Sequence, residues 1–158
     1  MIIQKRIICR LYDLYRVFQK QCPKDWLPIH ASCFWVDLDK CNWNVASAIC
    51  SDFGSHLAVV TSQEEHDLIF AALEAITSNG LWLGGYYDVK VASGKWVNGE
   101  TWSYTNFDAN VNNTAVNSGE LNADSVLQMR NINHEANRRW VFRSKYGGDK
   151  GTLCKLEL

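Results

Sequence analysis

Residues 22–35 read Cys-Pro-Lys-Asp-Trp-Leu-Pro-Ile-His-Ala-Ser-Cys-Phe-Trp, and two cysteines bracket a run in which polar and aromatic residues alternate. Alternation of this kind predicts a small β-hairpin, and a Cys22–Cys33 bridge would close it. A loop that short gains roughly 3 kcal/mol from the bridge on the chain-entropy argument. Downstream, Trp43–Asp52 places Val45, Ala46, Ile49 and Cys50 on one face of a short helix that Gly54 stops. Cys154 stands four residues from the end of the chain, in a strand-like run from Thr152 to Leu156. A Cys50–Cys154 bridge would tie the helical half to the sheet, and a loop of about a hundred residues makes that worth roughly 4.7 kcal/mol.

Six cysteines in one 158-residue chain point to an oxidising compartment, because reducing cytosol keeps thiols open. Cys9 and Cys41 complete the set, and the sequence leaves their state open: paired with each other, paired between chains, or free. The composition, 47% hydrophobic, suffices for one ordinary core and shows no shift that demands two domains. Sixteen basic residues against 17 acidic ones give a formal charge of −1, which excludes a whole-molecule field for nucleic acid or an anionic membrane.

In Met1–Lys20, Arg10, Asp13 and Arg16 interrupt what would be the apolar run of a signal peptide. The reading expects either that the natural start lies elsewhere or that a leader has been lost. Ile7, Leu11, Leu14, Tyr15 and Phe18 recur at helical spacing, so residues 1–21 are an extension that forms a short helix or stays disordered, with Cys9 available to join two chains. No run of eighteen apolar residues supplies a spanning helix.

Between the first helix and the strands, Ser62-Gln-Glu-Glu65 forms a capping box, in which the Ser62 hydroxyl accepts from the Glu65 amide and the Glu65 carboxylate reaches back. Leu68, Ile69, Ala72, Leu73 and Ile76 continue the three-to-four rhythm of a second helix up to Asn79-Gly80. Leu81–Gly85 reads as a buried strand, Gly94–Val97 as a strand entering an Asn98-Gly99 turn, residues 107–122 as a long loop, and Ser125–Met129 and Arg139–Phe142 as further strands. Two helices followed by short strands give an α+β domain.

These residues resemble the C-type lectin-like family in its long form, which has an added amino-terminal hairpin. The likeness covers residues 22–158 and rests on Cys22-Pro-x-x-Trp26, Cys33-Phe-Trp35, Trp43-x-x-Ala46-x-x-x-Cys50, Gly54-x-His56-Leu57-Ala58, Ser62-x-Glu64-Glu65, Trp82-Leu-Gly-Gly85, Trp96-x-Asn98-Gly99, Tyr104-Thr-Asn-Phe107 and Cys154. The resemblance implies a double-looped, noncatalytic, secreted or cell-surface recognition domain whose long loop carries the ligand site. In sugar-binding members that site is a calcium ion held by oxygens of a loop triplet, a further acid and a strand triplet.

This chain departs from that pattern. The loop triplet aligns with Asn110-Val111-Asn112 and lacks the proline, and the strand triplet aligns with Trp140-Val141-Phe142, where apolar side chains replace the amide and the carboxylate. A second family disulfide is also missing, since Ser125 holds one cysteine's position and Lys145 or Tyr146 stands near the other's. No metal is therefore expected, and the favoured expectation is calcium-independent binding of an extracellular protein or an anionic glycan. The alternative is a calcium-dependent sugar lectin in which Asn110, Asn112, Glu120 and Asp124 supply the oxygens.

Positive charge gathers late in the chain at Arg130, Arg138, Arg139, Arg143, Lys145, Lys150 and Lys155, and Arg138, Arg139 and Arg143 are the leading candidates for an anionic ligand. Asn112-Asn113-Thr114 is a glycosylation sequon. Of the seven tryptophans, Trp26, Trp35, Trp43, Trp82, Trp96 and Trp140 fall where the family packs its core or lines its edge, and Trp102 and Tyr104 are the expected exposed aromatics. No nucleophile elbow, phosphate-cradling glycine loop or histidine pair points to an enzyme.

Overall fold

The computed structural model describes residues 21–76, 80–107, 120–130 and 139–158. Strand β1 (Leu27–Ile29) turns at His30, whose φ is +53°, into β2 (Ser32–Cys41). Helix α1 (Trp43–Asp52), β3 (His56–Leu57) and helix α2 (Gln63–Ala72) follow, and then β4 (Leu81–Asp88), β5 (Ser93–Trp96), β6 (Ser125–Met129), β7 (Trp140–Ser144) and β8 (Lys150–Glu157). One sheet runs β1-β2-β8-β4-β6-β7, with β3 on β8 and β5 on β4. Strands β4 and β8 pair in parallel and β2 and β8 antiparallel, so the last strand inserts between the amino-terminal hairpin and the central strands. This is the α+β architecture that the sequence predicts.

Successive strand residues face opposite sides of a sheet. Leu81 and Leu83 of β4, Leu127 and Met129 of β6 and Leu153 of β8 therefore enter the larger core, together with Ile69, Phe70 and Leu73 around α2. Their neighbours Trp82, Val126 and Cys154 enter a smaller core against Ala46 and Cys50 of α1. The Trp82 indole N–H donates to the Cys41 carbonyl and the Trp43 indole to the Leu83 carbonyl, each at 2.8 Å. Both indoles thereby fix the end of β2 and the start of α1 on the sheet.

Bridges join Cys22 to Cys33 and Cys50 to Cys154, as the spacing predicts. Cys41 is a half-buried free thiol 3.5 Å from the Thr152 hydroxyl, and Cys9 lies outside the described residues.

Three expectations need correction. Helix α2 ends at Ala72 rather than at Asn79-Gly80, because the amide of Leu73 already closes back on Ile69 and Phe70. Its apolar rhythm runs on because the turn beyond still packs Ile76 against the core. Val45 and Leu68, and Ala72 beside them, face solvent, so each helix buries a stripe narrower than its apolar face: Ala46 and Cys50 on α1, and Glu65, His66, Ile69 and Phe70 on α2. Trp102 and Tyr104 are half-buried rather than exposed, because Trp96, Phe107 and Phe142 gather around the Trp102 ring and Tyr104 packs edge-on against Trp140. The capping box forms in part: the Glu65 amide donates to Ser62 Oγ at 3.1 Å, and the carboxylate reaches to the Thr61 amide at 3.2 Å.

Candidate functional site

The segment 101–107 and strand β7 form the stem from which the long loop leaves, and rings hold that stem together. Trp102 lies over Trp96 with centroids 4.6 Å apart and stacks at 6.4 Å on Phe142, while Phe107 sits 5.4 Å from Phe142. Trp140 receives the edges of Trp96 and Tyr104 at 5.6 and 5.4 Å. Such edge-to-face pairs add about 0.5–1.5 kcal/mol beyond area burial. The glycines make this possible, since a Cβ at Gly94 would meet the Trp102 ring and one at Gly85 would crowd both Leu127 and Trp102.

Polar groups tie the same stem to α2. The Trp140 amide donates to the Asn106 carbonyl at 2.7 Å, and Phe107 forms a bridge with Trp140. The Asn106 side chain accepts from Arg139 through Oδ1 and places Nδ2 2.9 Å from His66 Nε2. The Tyr104 hydroxyl donates to Gln63, and burial, helped by the nearby Asp67, pushes its pKa up to about 12 against the opposing pull of Arg139. Deeper, Lys155 donates to Glu65 at 2.6 Å and to the Val59 carbonyl at 3.1 Å.

Of the sequence candidates, Glu120, Asp124, Arg139 and Arg143 fall among the described residues. Asn110, Asn112 and Arg138 lie outside the described residues, and so does the sequon. Glu120 is exposed. The Asp124 carboxylate meets Lys145 at 2.7 Å, and this hydrogen bond raises the Lys145 pKa. The Lys145 amide also donates to the Asp124 carbonyl at 2.9 Å, so an ion pair and a backbone bond join the two residues that flank the β6–β7 pairing. Val141 is fully buried, and Phe142 belongs to the ring cluster. Neither side chain offers an oxygen. Among the described residues no three His, Cys, Asp or Glu side chains could share a metal ion.

The basic group also divides. Lys145, Lys150 and Lys155 each have an acidic partner. Arg139 precedes β7 and is committed to Asn106, whereas Arg143 is exposed near the other end of that strand, opposite Val126 on β6. Sequence reasoning missed Asn106 and His66 as the polar junction, although Asn106 lies inside the Tyr104–Phe107 motif and His66 directly follows the capping box. It also missed an open groove of about 460 Å³ lined by Tyr86, Val91, Lys95, Glu100 and Trp102.

The comparisons with known proteins agree with this geometry. Residues 39–145 match the Lectin C-type domain. The chain belongs to the C-type lectin domain family. Killer cell lectin-like receptor subfamily B member 1B allele A of Rattus norvegicus is 31% identical over 87% of this chain and 55% of its own length. A solved structure titled as a complex of SPL-1 with GlcNAc superposes with a TM-score of 0.74 at 18% identity, over 88% of this chain and 97% of that one. A calcium-independent type II antifreeze protein gives 0.68 at 22% identity, over 87% and 95%. The chain spans about half the length or less of the curated relatives it matches. C-type lectin domains are in general non-enzymatic recognition modules, typically extracellular or on the cell surface. No helix among the described residues is long and apolar enough to cross a membrane.

Proposed function

We propose that this C-type lectin domain is an extracellular recognition module that binds a protein or an anionic glycan without calcium. The observation that carries the reading is the fate of the two β7 positions. Val141 is sealed in the core, and Phe142 closes the ring cluster under the loop stem, so neither position supplies a side-chain oxygen to a cation that wants six to eight. Asp124, one of the remaining carboxylates, is already neutralised by Lys145. The family and fold are compatible with this: a neighbour of the same fold is titled a calcium-independent lectin and another a calcium-independent antifreeze protein. Arg143, exposed and without an ion pair among the described residues, is the first candidate for an anionic contact.

Calcium titration by calorimetry, with thermal melts in calcium and in chelator, tests the proposal. The expected outcome is no saturable heat and no change in Tm. A saturable ion that raises Tm overturns it in favour of a site at Asn110, Asn112, Glu120 and Asp124.

A further inference from the structure

We propose that the open groove on the β4–β5 hairpin seats the side chain of an arginine or a lysine carried by a partner polypeptide. The hairpin and the turn after it set its walls. Tyr86 lies opposite Lys95 across the two strands, the Gly99 amide closes a turn on the Trp96 carbonyl at 3.1 Å, and the Asn98 side chain accepts from the Glu100 amide at 3.1 Å. Gly99 has a φ of +81°, which a glycine takes without strain. These bonds hold Glu100 on the groove through its backbone, so the fold makes no use of its carboxylate.

The charges that line the groove do not cancel. Lys95 is committed to Asp88 at 2.7 Å, whereas Glu100 is exposed and no cation among the described residues pairs with it. The groove therefore presents one uncompensated carboxylate beside apolar walls of Tyr86, Trp102 and the exposed Val91. A long cationic side chain matches both features, because its methylene stem lies along apolar surface while its head brings a charge to the carboxylate. An anionic group would meet Glu100 with like charge.

Two observations turn the choice away from a free sugar. The Trp102 ring already packs on Trp96 at 4.6 Å and on Phe142 at 6.4 Å, so it gives a wall to a stem rather than a free face to a pyranose. The groove, at about 460 Å³, is also open, and a small molecule in it stays largely in water, whereas sites for free small ligands cover most of their ligand's surface. A side chain tethered to a polypeptide needs only its stem covered, and arginine is among the residues that anchor protein interfaces in this way. The groove takes a charge opposite to the one that Arg143 on β7 would meet. Its occupancy therefore stands or falls independently of calcium-free binding at the loop stem.

The test is a titration of the isotope-labelled full chain with the peptide acetyl-Gly-Gly-Arg-Gly-Gly-amide, read by nuclear magnetic resonance from the amide signals of Lys95, Gly99 and Glu100 and the indole signal of Trp102. With peptide raised to about 5 mM at low ionic strength, these signals should shift saturably. The same peptide with citrulline in place of arginine keeps the stem and loses the charge, and it should bind about three to five times more weakly. Glu100→Gln, which leaves the backbone turn untouched, should bring the two peptides to equal affinity. No saturable shift in the wild-type protein, or equal affinity of the two peptides for it, overturns the proposal whether or not the variant folds. So does an arginine preference that survives in Glu100→Gln. Saturable shifts with cellotriose, and none with the arginine peptide, would make the groove a sugar site and overturn it as well.

Discussion

Lys155 and Glu65 show how much one pair of side chains decides here. Their side chains are 7% and 10% exposed, and the ammonium also reaches the Val59 carbonyl and lies over the Phe34 ring at 5.6 Å. A charge so enclosed survives only while paired, because the loss of either partner strands the other in a low-dielectric interior. Lys155→Met should therefore destabilise the domain by about 3–5 kcal/mol in urea unfolding. Adding Glu65→Leu should restore most of the loss even though the Thr61 amide then loses its acceptor, because the Ser62 cap takes the Glu65 backbone amide and is kept. A double variant no better than the single one would show that packing, and not the uncompensated charge, sets the cost. This pair was invisible in the linear order. Lys155 sits 90 residues from Glu65, and the late basic residues look like one patch until the sheet separates them. What was legible was the Glu65 side of the pair, as a capping-box carboxylate at a defined helix start.

At the scale of the element, local chemistry fixed where segments begin better than where they end or what they bury. Asn42 and Ser62 cap α1 and α2 with their own side chains, and β6 has the bounds that its apolar run predicts. The end of α2 was hidden because a helix and the packed turn after it bury the same apolar residues. Trp102 misled for a different reason, since its shelter comes from glycines on β4 and β5, and only the register of that hairpin brings Gly85 and Gly94 beneath one indole. The glycines therefore act as part of the ring cluster. Gly94→Ala should push the indole from its seat at a cost of about 1–3 kcal/mol and shift the tryptophan emission. Gly148→Ala, with nothing near its added carbon and no positive φ, should stay within about 0.5 kcal/mol of wild type. Equal effects at the two sites would mean that the glycines do not support the loop stem.

Across the whole molecule, the two disulfides constrain the unfolded chain very unequally. Cys22–Cys33 spans 11 residues and closes a hairpin that β1 and β2 already pair, whereas Cys50–Cys154 spans 104 and joins α1 to the strand inserted at the centre of the sheet. Loop-closure entropy grows only logarithmically, so the longer bridge should stabilise by about 2 kcal/mol more than the shorter one. Packing adds to the difference, because Cys50 and Cys154 are both fully buried in the smaller core. The double variant Cys50→Ala/Cys154→Ala should thus lose clearly more stability in denaturant than Cys22→Ala/Cys33→Ala, with Cys41 replaced by serine in both to prevent exchange. The chain between the two long-range cysteines includes the loop stem, the ring cluster and the His66 junction. If the amino-terminal bridge proved the costlier one to lose, the hairpin and not the α1–β8 tie would be the element that holds this recognition surface in place.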